Sequence, residues 1–469
     1  MQFWKCARQL KEVAPDTVHP TRPSGSPRWR RPFEFVLENG LRVLFVQREE
    51  SPIVELRFVI DGGFAADPNQ RNGLAGLAMA MFSEGFLRVD DVQVGFALEA
   101  LGAVLHGQLT ADAAVIGMSA LTANLGDALS MFVNVLTHPQ FKPEDVESVR
   151  ANRLALIIRE QLSPFDLALR ILPPMVYGTD HVYGRPFSGS GIQQDLAAIT
   201  YDDLRSYYAT HLMPQRCTLI VAGSCETAHL HAQLDEQFGQ SRAVARVERT
   251  APATETTANA RSIMIVNRLG AAQTALAAGF STLACNSSHA DALMVADTIL
   301  GGIFTSRLNL SLRESKGWTY GVRSSLVDAR LQGLWLIRTV VRTDCAAQAM
   351  AEIAGEIENL AGRRPSTPAE FSRAVDYLAA RIPSSYETCA QMADALAHDI
   401  IYRLPIEHPQ NLSTRLRHLR PDDVTETCRQ ILAAGGPRWM IIGKAAELLD
   451  QARNANLGNI EVIDFNSAW

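Results

Sequence analysis

Apolar and polar positions alternate with a period of two near the start of the chain and give way to a helical period soon after. Phe35–Val46 sets FVL and LRVLFV on either side of Glu38-Asn39-Gly40, a turn that folds one strand back on the next. Val54–Ile60 alternates again and stops at Asp61-Gly62-Gly63. Residues 73–86, GLAGLAMAMFSEGF, are apolar around nearly the whole helical circumference, which predicts a deeply buried helix. Strand and helix patterns then take turns up to residue 240.

The second half repeats the first. Tyr201-Asp202-Asp203-Leu204 is followed by LIVAG, with Gly223 twenty residues after Asp203; Pro421-Asp422-Asp423-Val424 is followed by MIIG, with Gly443 twenty residues after Asp423. Each glycine precedes a helix-like run, ending at Gly239 or Gly458. The offset from Asp203 to Asp423 is 220 residues, and it carries Val54–Val59 onto the apolar run Thr274–Gly279. Asn286-Ser287-Ser288 with Asp291 reads as a capping box for a helix that runs to Gly301. The predicted fold class is α+β: two homologous halves, each a mostly antiparallel sheet packed with helices. The expected boundaries are an N-terminal arm at 1–32, a first half at 33–240, a Thr/Ala-rich linker at 241–261 and a second half at 262–469.

The densest pattern lies in Gly301–Leu326, GGIFTSRLNLSLRESKGWTYGVRSSL. Thr305 or Ser306 can cap a helix on which Leu308 and Leu312 share a face, and Gly317 can end it in a positive-φ conformation. Tyr320, Val322, Ser324 and Leu326 then alternate as one face of a strand. Arg313 falls near the helix end and Tyr320 seven residues later, so a guanidinium and a phenol on adjacent rigid elements can serve a single carbonyl oxygen or oxyanion. The same spacing also suits an arginine placed for the helix dipole and a tyrosine half-buried in strand packing. Gly301-Gly302 reads as a turn between two helices and not as a phosphate cradle.

Composition narrows the functional classes. A chain of 469 residues with 47% hydrophobic and 20% charged residues is long enough for two domains of ordinary globular character. Its net charge of −6 gives no basic footprint for nucleic acid and no polybasic membrane surface. No apolar run approaches the length of a membrane span, and the N-terminus has no continuous apolar core of a secretory signal. The expected location is the cytoplasm, or the periplasm if the start is trimmed or mis-assigned. Seven scattered cysteines, odd in number and without a CxxC pair, argue against a disulfide framework.

Gly301-Gly302, Ser306-Arg307-Leu308, Leu312-Arg313-Glu314, Lys316-Gly317 and Thr319-Tyr320-Gly321 together resemble the C-terminal-half signature of the M16 family of zinc metallopeptidases (insulinase, pitrilysin, mitochondrial processing peptidase). Asn39-Gly40-Leu41, Val176-Tyr177-Gly178 and Tyr183-Gly184-Arg185-Pro186 extend the resemblance over nearly the whole chain. It implies the two-half fold of that family. It also implies that Arg313 and Tyr320 face a zinc site from across a clamshell and help hold the scissile carbonyl.

The catalytic motif itself is missing. In the family, HxxEH on the first helix supplies two zinc ligands and the general base, and a distal Glu completes the set. Gly76, Met79 and Ala80 stand in those three places, and the distal position falls near Leu156. No replacement metal site is expected: His229 and His231 lie two apart on a helix and face away from each other. His181 reads as a loop residue, His106, His138, His211 and His289 as isolated, and no logic joins His398, His408 and His418. No Cys-His pairing stands out.

What the resemblance implies is a non-catalytic subunit of a heterodimeric or heterotetrameric zinc endopeptidase. Such a chain holds no cofactor; zinc sits in an HxxEH-bearing M16 partner subunit, and the substrate is a peptide. Two other readings keep the fold: a scaffold without chemistry, like respiratory-complex core subunits, and a homodimeric peptide-binding protein.

Overall fold

The computed structural model describes residues 30–82, 92–137, 142–238 and 261–465. Most of the expected arm, nearly all of the linker, residues 83–86 of the first helix, His138 and Gly239 lie outside those ranges. Twelve strands form two six-stranded sheets. The first contains β1 (Phe33–Val36), β2 (Arg42–Gln47), β3 (Ile53–Ile60), β4 (Val104–Leu109), β5 (Ala114–Leu121) and β6 (Cys217–Gly223), in the order β1-β2-β6-β3-β5-β4. The second contains β7 (Ser262–Asn267), β8 (Thr274–Ser281), β9 (Thr319–Val327), β10 (Leu334–Val341), β11 (Arg438–Gly443) and β12 (Asn459–Asp464), in the order β12-β7-β11-β8-β10-β9.

Five strands of each sheet correspond in order and direction. β2 and β6 are parallel, as are β7 and β11, and the remaining pairs of the five are antiparallel. β6 and β11 begin at residues 217 and 438, 221 apart, so the repeat read from the sequence is within one residue of the structural one. The sixth strand breaks the symmetry. β1 comes before β2 and pairs with it antiparallel, whereas β12 comes last and pairs with β7 in parallel. The expected turn at Asn39-Gly40 forms: Gly40 takes φ 88°, and the Asn39 side chain accepts from Leu41 N at 3.0 Å.

Central strands are apolar on both faces because both faces are covered. β6 and β11 are buried at every position. Helices of the same half cover one face of each sheet, and a helix from the other half covers the second. Helix Pro164–Tyr177, from the first half, packs on β8 and β11; its Leu167, Ala168, Ile171 and Leu172 meet Ala275, Ala277, Met440 and Ile442. Helix Cys389–Ile401, from the second half, packs on β3 and β6; Met392, Ala393, Leu396 and Ala397 meet Leu44, Val59, Ile220 and Ala222. Burial of each such leucine or isoleucine contributes about 1.5–3 kcal/mol, so this exchange welds the halves together.

The Tyr177–Pro186 motif lies on that seam. Tyr177 donates to the Gly333 carbonyl at 2.6 Å. Tyr183 donates to Asp112 Oδ1 at 2.6 Å and accepts from Leu331 N at 3.2 Å. Arg185 donates to the Phe64 and Asp67 carbonyls at 2.9 and 2.6 Å. No helix among the described residues is long and apolar enough to cross a membrane.

Candidate functional site

The stretch from residue 298 to 327 is built more tightly than its alternation pattern suggests. Helix Ala290–Asp297 continues as a π-wound turn, Thr298–Gly302. The capping box expected at its start is absent: the residue before the helix is His289, which bonds Thr427 through Nδ1, and Asp291 pairs with Arg415. Charge pairing to a neighbouring helix has taken the carboxylate that the cap would have used. Gly301 is demanded by contact, since a Cβ there would lie 2.9 Å from the backbone nitrogen of Ser324 on β9.

The second helix starts where expected, at Arg307, and Asn309–Ser315 winds as a π-helix. Leu308 and Leu312 are fully buried, and Gly317 ends the helix at φ 62°. Asn309 stitches it to β9: its amide donates to the Val322 carbonyl at 2.9 Å and its oxygen accepts from Val322 N at 3.0 Å. Arg307, buried, is forked onto Glu370 at 2.8 Å through two nitrogens and also donates to the Arg364 and Pro365 carbonyls. That forked contact pulls Glu370 down to a pKa of about 2, with burial opposing. Wide helical turns of this kind are frequent at functional sites.

Arg313 sits in the last helical turn. Its guanidinium lies 3.5 Å above the centre of the Phe304 ring, and Nη2 is 2.7 Å from Glu314 Oε1. Phe304 is itself 70% exposed, so the pair forms a wall at the solvent edge. Tyr320 is 93% exposed, and no hydrogen bond to its hydroxyl is found among the described residues. It stands on β9, the outer strand of the second sheet, where pairing with β10 slips between Thr339 and Val341. The half-buried packing expected of a strand tyrosine is not what the structure shows. Thr319 anchors the strand beside it, with its hydroxyl 2.9 Å from that of Thr339 and accepting from Gly321 N at 3.1 Å.

The helix corresponding to the family's zinc helix is Leu74–Ala80, and all seven of its residues are buried. Gly76, Met79 and Ala80 are therefore core residues. The place of Gly76 is also closed: a Cβ there would fall 2.3 Å from the Gly189 carbonyl oxygen and 2.8 Å from Arg153 Nη2. Gly189 and Gly191 take φ 67° and 82°, which lets their loop lie flat on the helix. Glu160 and Arg170, ion-paired at 2.8 Å, hold that loop through Ser188, Ser190 and the Gly191 carbonyl. Leu156 is half-buried on helix Pro143–Leu162, and the one buried carboxylate of that helix, Glu160, is committed to the loop. These residues do not fit a catalytic zinc ion. Gly76→Ala is expected to destabilise the fold by about 1–3 kcal/mol, because the clash is with backbone; an unchanged denaturation midpoint would show that the loop yields freely.

Histidine placement corrects one expectation. His229 is exposed and His231 pairs with Asp235 at 2.9 Å, so that HxH pair is surface, as read. His181 is buried, with Nδ1 accepting from Tyr183 N at 3.0 Å. His398 and His408, however, converge on Asp399, at 3.6 and 3.1 Å, while His418 bonds the Thr414 carbonyl of its own helix. His398 also meets Asp328 at 3.0 Å, with Cys285 beside them. Sequence spacing could not show the meeting of Cys285, Asp328 and His398, since each of these three comes from a different segment.

Residues 42–163 match the family model described as insulinase (peptidase family M16), and residues 198–378 match the one described as peptidase M16 inactive domain. An uncharacterized zinc protease of Mycobacterium leprae is 28% identical over 237 residues, 50% of this chain and 52% of that protein. A probable mitochondrial-processing peptidase subunit beta of Arabidopsis thaliana is 24% identical over 272 residues, 56% of this chain and 49% of that protein. The chain thus spans about half the length of these curated relatives. Two solved structures share the fold. A peptidase M16 inactive domain from Pseudomonas fluorescens has TM-score 0.78 and 22% identity, covering 88% of this chain and 98% of that one. A protease from Helicobacter pylori has TM-score 0.79 and 15% identity, covering 89% and 100%.

Proposed function

This chain belongs to the M16 family of metallopeptidases, and because the helix where that family holds zinc is sealed at Gly76, we propose that it acts as the non-catalytic subunit of a heteromeric zinc endopeptidase. The observation that supports this reading most directly is the contrast between two places in one molecule. Residues 76–80 are packed shut, whereas Tyr320 presents its hydroxyl to solvent and the Arg313 guanidinium is stacked on the exposed Phe304 ring. A chain that kept only the fold as a scaffold would have no use for that exposed phenol.

In this reading, a peptide is bound between the subunits with its scissile carbonyl toward Arg313 and Tyr320. Both side chains are donors with no lone pair to repel an oxyanion at the guanidinium and one rotatable O–H at the phenol. Their hydrogen bonds strengthen as charge develops on the carbonyl oxygen, which is where donors lower a barrier. The metal, the water it activates and the general base come from an HxxEH-bearing M16 partner.

The test is to purify the chain alone, the partner alone and the two together, and to follow cleavage of an unfolded peptide library. Hydrolysis is expected in the mixture alone, and chelation should abolish it. Hydrolysis by this chain on its own, or a mixture no more active than the partner, would refute the proposal.

A further inference from the structure

We propose that Cys285, Asp328 and His398 form a binding site for one zinc-class divalent metal ion, in the second half of the chain and away from the sealed helix. One ligand atom from each residue lies within 4.8 Å of the other two. Bond lengths of about 2.0–2.3 Å place the ligands of a tetrahedral zinc about 3.3–3.7 Å apart. Asp328 Oδ2 and His398 Nε2, at 3.0 Å, are already that close, so closing the site needs an inward shift of the thiol of about an ångström.

The three hosts are firm. Cys285 follows β8, and its backbone nitrogen bonds the Ala329 carbonyl at 3.4 Å. Asp328 directly follows β9, and His398 projects from helix Cys389–Ile401. The nearest cation of the same loop, Arg330, is committed to Asp61 and to the Ile401 carbonyl, which leaves Asp328 to His398.

Two further features mark this as a ligand set. The first is a carboxylate behind the imidazole. Asp399 Oδ1 is 3.6 Å from His398 Nδ1 and is fixed from its other side by His408 at 3.1 Å. A carboxylate behind the distal nitrogen is the usual device that orients a metal-binding histidine. The second is an open side. The cluster borders a cavity of about 740 Å³ between helices Ala290–Asp297 and Cys389–Ile401, so a fourth position is free for water or a small ligand.

Charge balance favours loading. Binding of M²⁺ displaces the thiol proton, and M²⁺ with thiolate, carboxylate and neutral imidazole carries no net charge. A soft thiolate with an imidazole selects zinc over magnesium or calcium. Because helix Cys389–Ile401 covers the first sheet while Asp328 belongs to the second, the ion would brace the two halves against each other.

The experiment uses the full chain, free of any affinity tag and carrying Cys6→Ser to remove a cysteine outside the described residues. After chelation and dialysis it is titrated with zinc by calorimetry, and with cobalt by absorbance. One ion per chain is expected, with a thiolate-to-cobalt charge-transfer band, tetrahedral visible bands and a zinc-raised Tm. Cys285→Ser should remove the charge-transfer band, and Asp399→Asn should weaken binding by about ten- to a hundredfold. Absence of saturable binding, or a band that survives Cys285→Ser, overturns the site. If Cys285→Ser does not fold, the Asp399→Asn comparison decides alone. None of these readouts depends on a peptidase partner.

Discussion

Tyr320→Phe and Arg313→Ala, each in the assembled peptidase, are expected to lower kcat about a hundred- to a thousandfold, or about 2.7–4 kcal/mol of transition-state stabilisation. Tyr320→Phe is the cleaner variant. It deletes one oxygen from a side chain that is 93% exposed, so folding loses nothing measurable and the change reports on the hydroxyl alone. Arg313→Ala also removes the stack on Phe304 and the contact with Glu314 from a side chain that is only 17% exposed, a loss of about 1–2 kcal/mol. Arg313→Lys keeps the charge but not the planar stack, and should recover only part of the rate. The fall should appear in kcat with little change in KM, because donors aimed at a developing oxyanion act mainly after substrate is bound. Assembly, checked by size-exclusion chromatography, should survive in all three. Near-normal kcat in both Tyr320→Phe and Arg313→Ala would remove these residues from the chemistry.

Much of the architecture was legible because the chain states it twice. Gly223 and Gly443 end strands that are buried at every position, and the patterns before them repeat at nearly constant spacing. What repetition could not show was the sixth strand, since β1 and β12 come from opposite ends of their halves and leave no common pattern. The exchanged helices were equally hidden: an amphipathic face such as Leu167-Ala168-Ile171-Leu172 announces that it will be buried, not in which half.

At the candidate site the residue types were readable and the local geometry was not. Leu308, Leu312 and Gly317 behave as their spacing predicts, but π winding over Asn309–Ser315 follows from contacts with β9 that lie beyond any local window. Tyr320 alternates with Val322 and yet escapes burial, because an outer strand with slipped pairing has no neighbour there to cover it. The loss of the zinc-binding motif was plain from Gly76, Met79 and Ala80. Its closure by the Gly189 carbonyl was not, because that loop arrives from more than a hundred residues away. Cys285, Asp328 and His398 were missed for the same reason.

The closure is also where the largest stability effect is expected. Arg170→Met should destabilise the fold by about 3–5 kcal/mol, because it strands Glu160 as an uncompensated buried charge. Both partners are buried at 2.8 Å separation, and Glu160 would keep only the hydroxyls of Ser188 and Ser190. The Gly191 carbonyl loses its donor at the same time. Adding Glu160→Met to Arg170→Met should return most of that loss, since replacing a whole buried pair by apolar side chains of similar volume is often neutral. The cycle separates two explanations of this loop. If the ion pair only fills space, the two single variants cost little and add. If it holds residues 188–191 against Gly76, each single variant is severe and the double variant is milder than either. Equilibrium denaturation of the four proteins measures this directly, and additive costs near 1 kcal/mol or below, as for a solvent-exposed pair, would mean that the sealed helix owes nothing to Glu160 and Arg170.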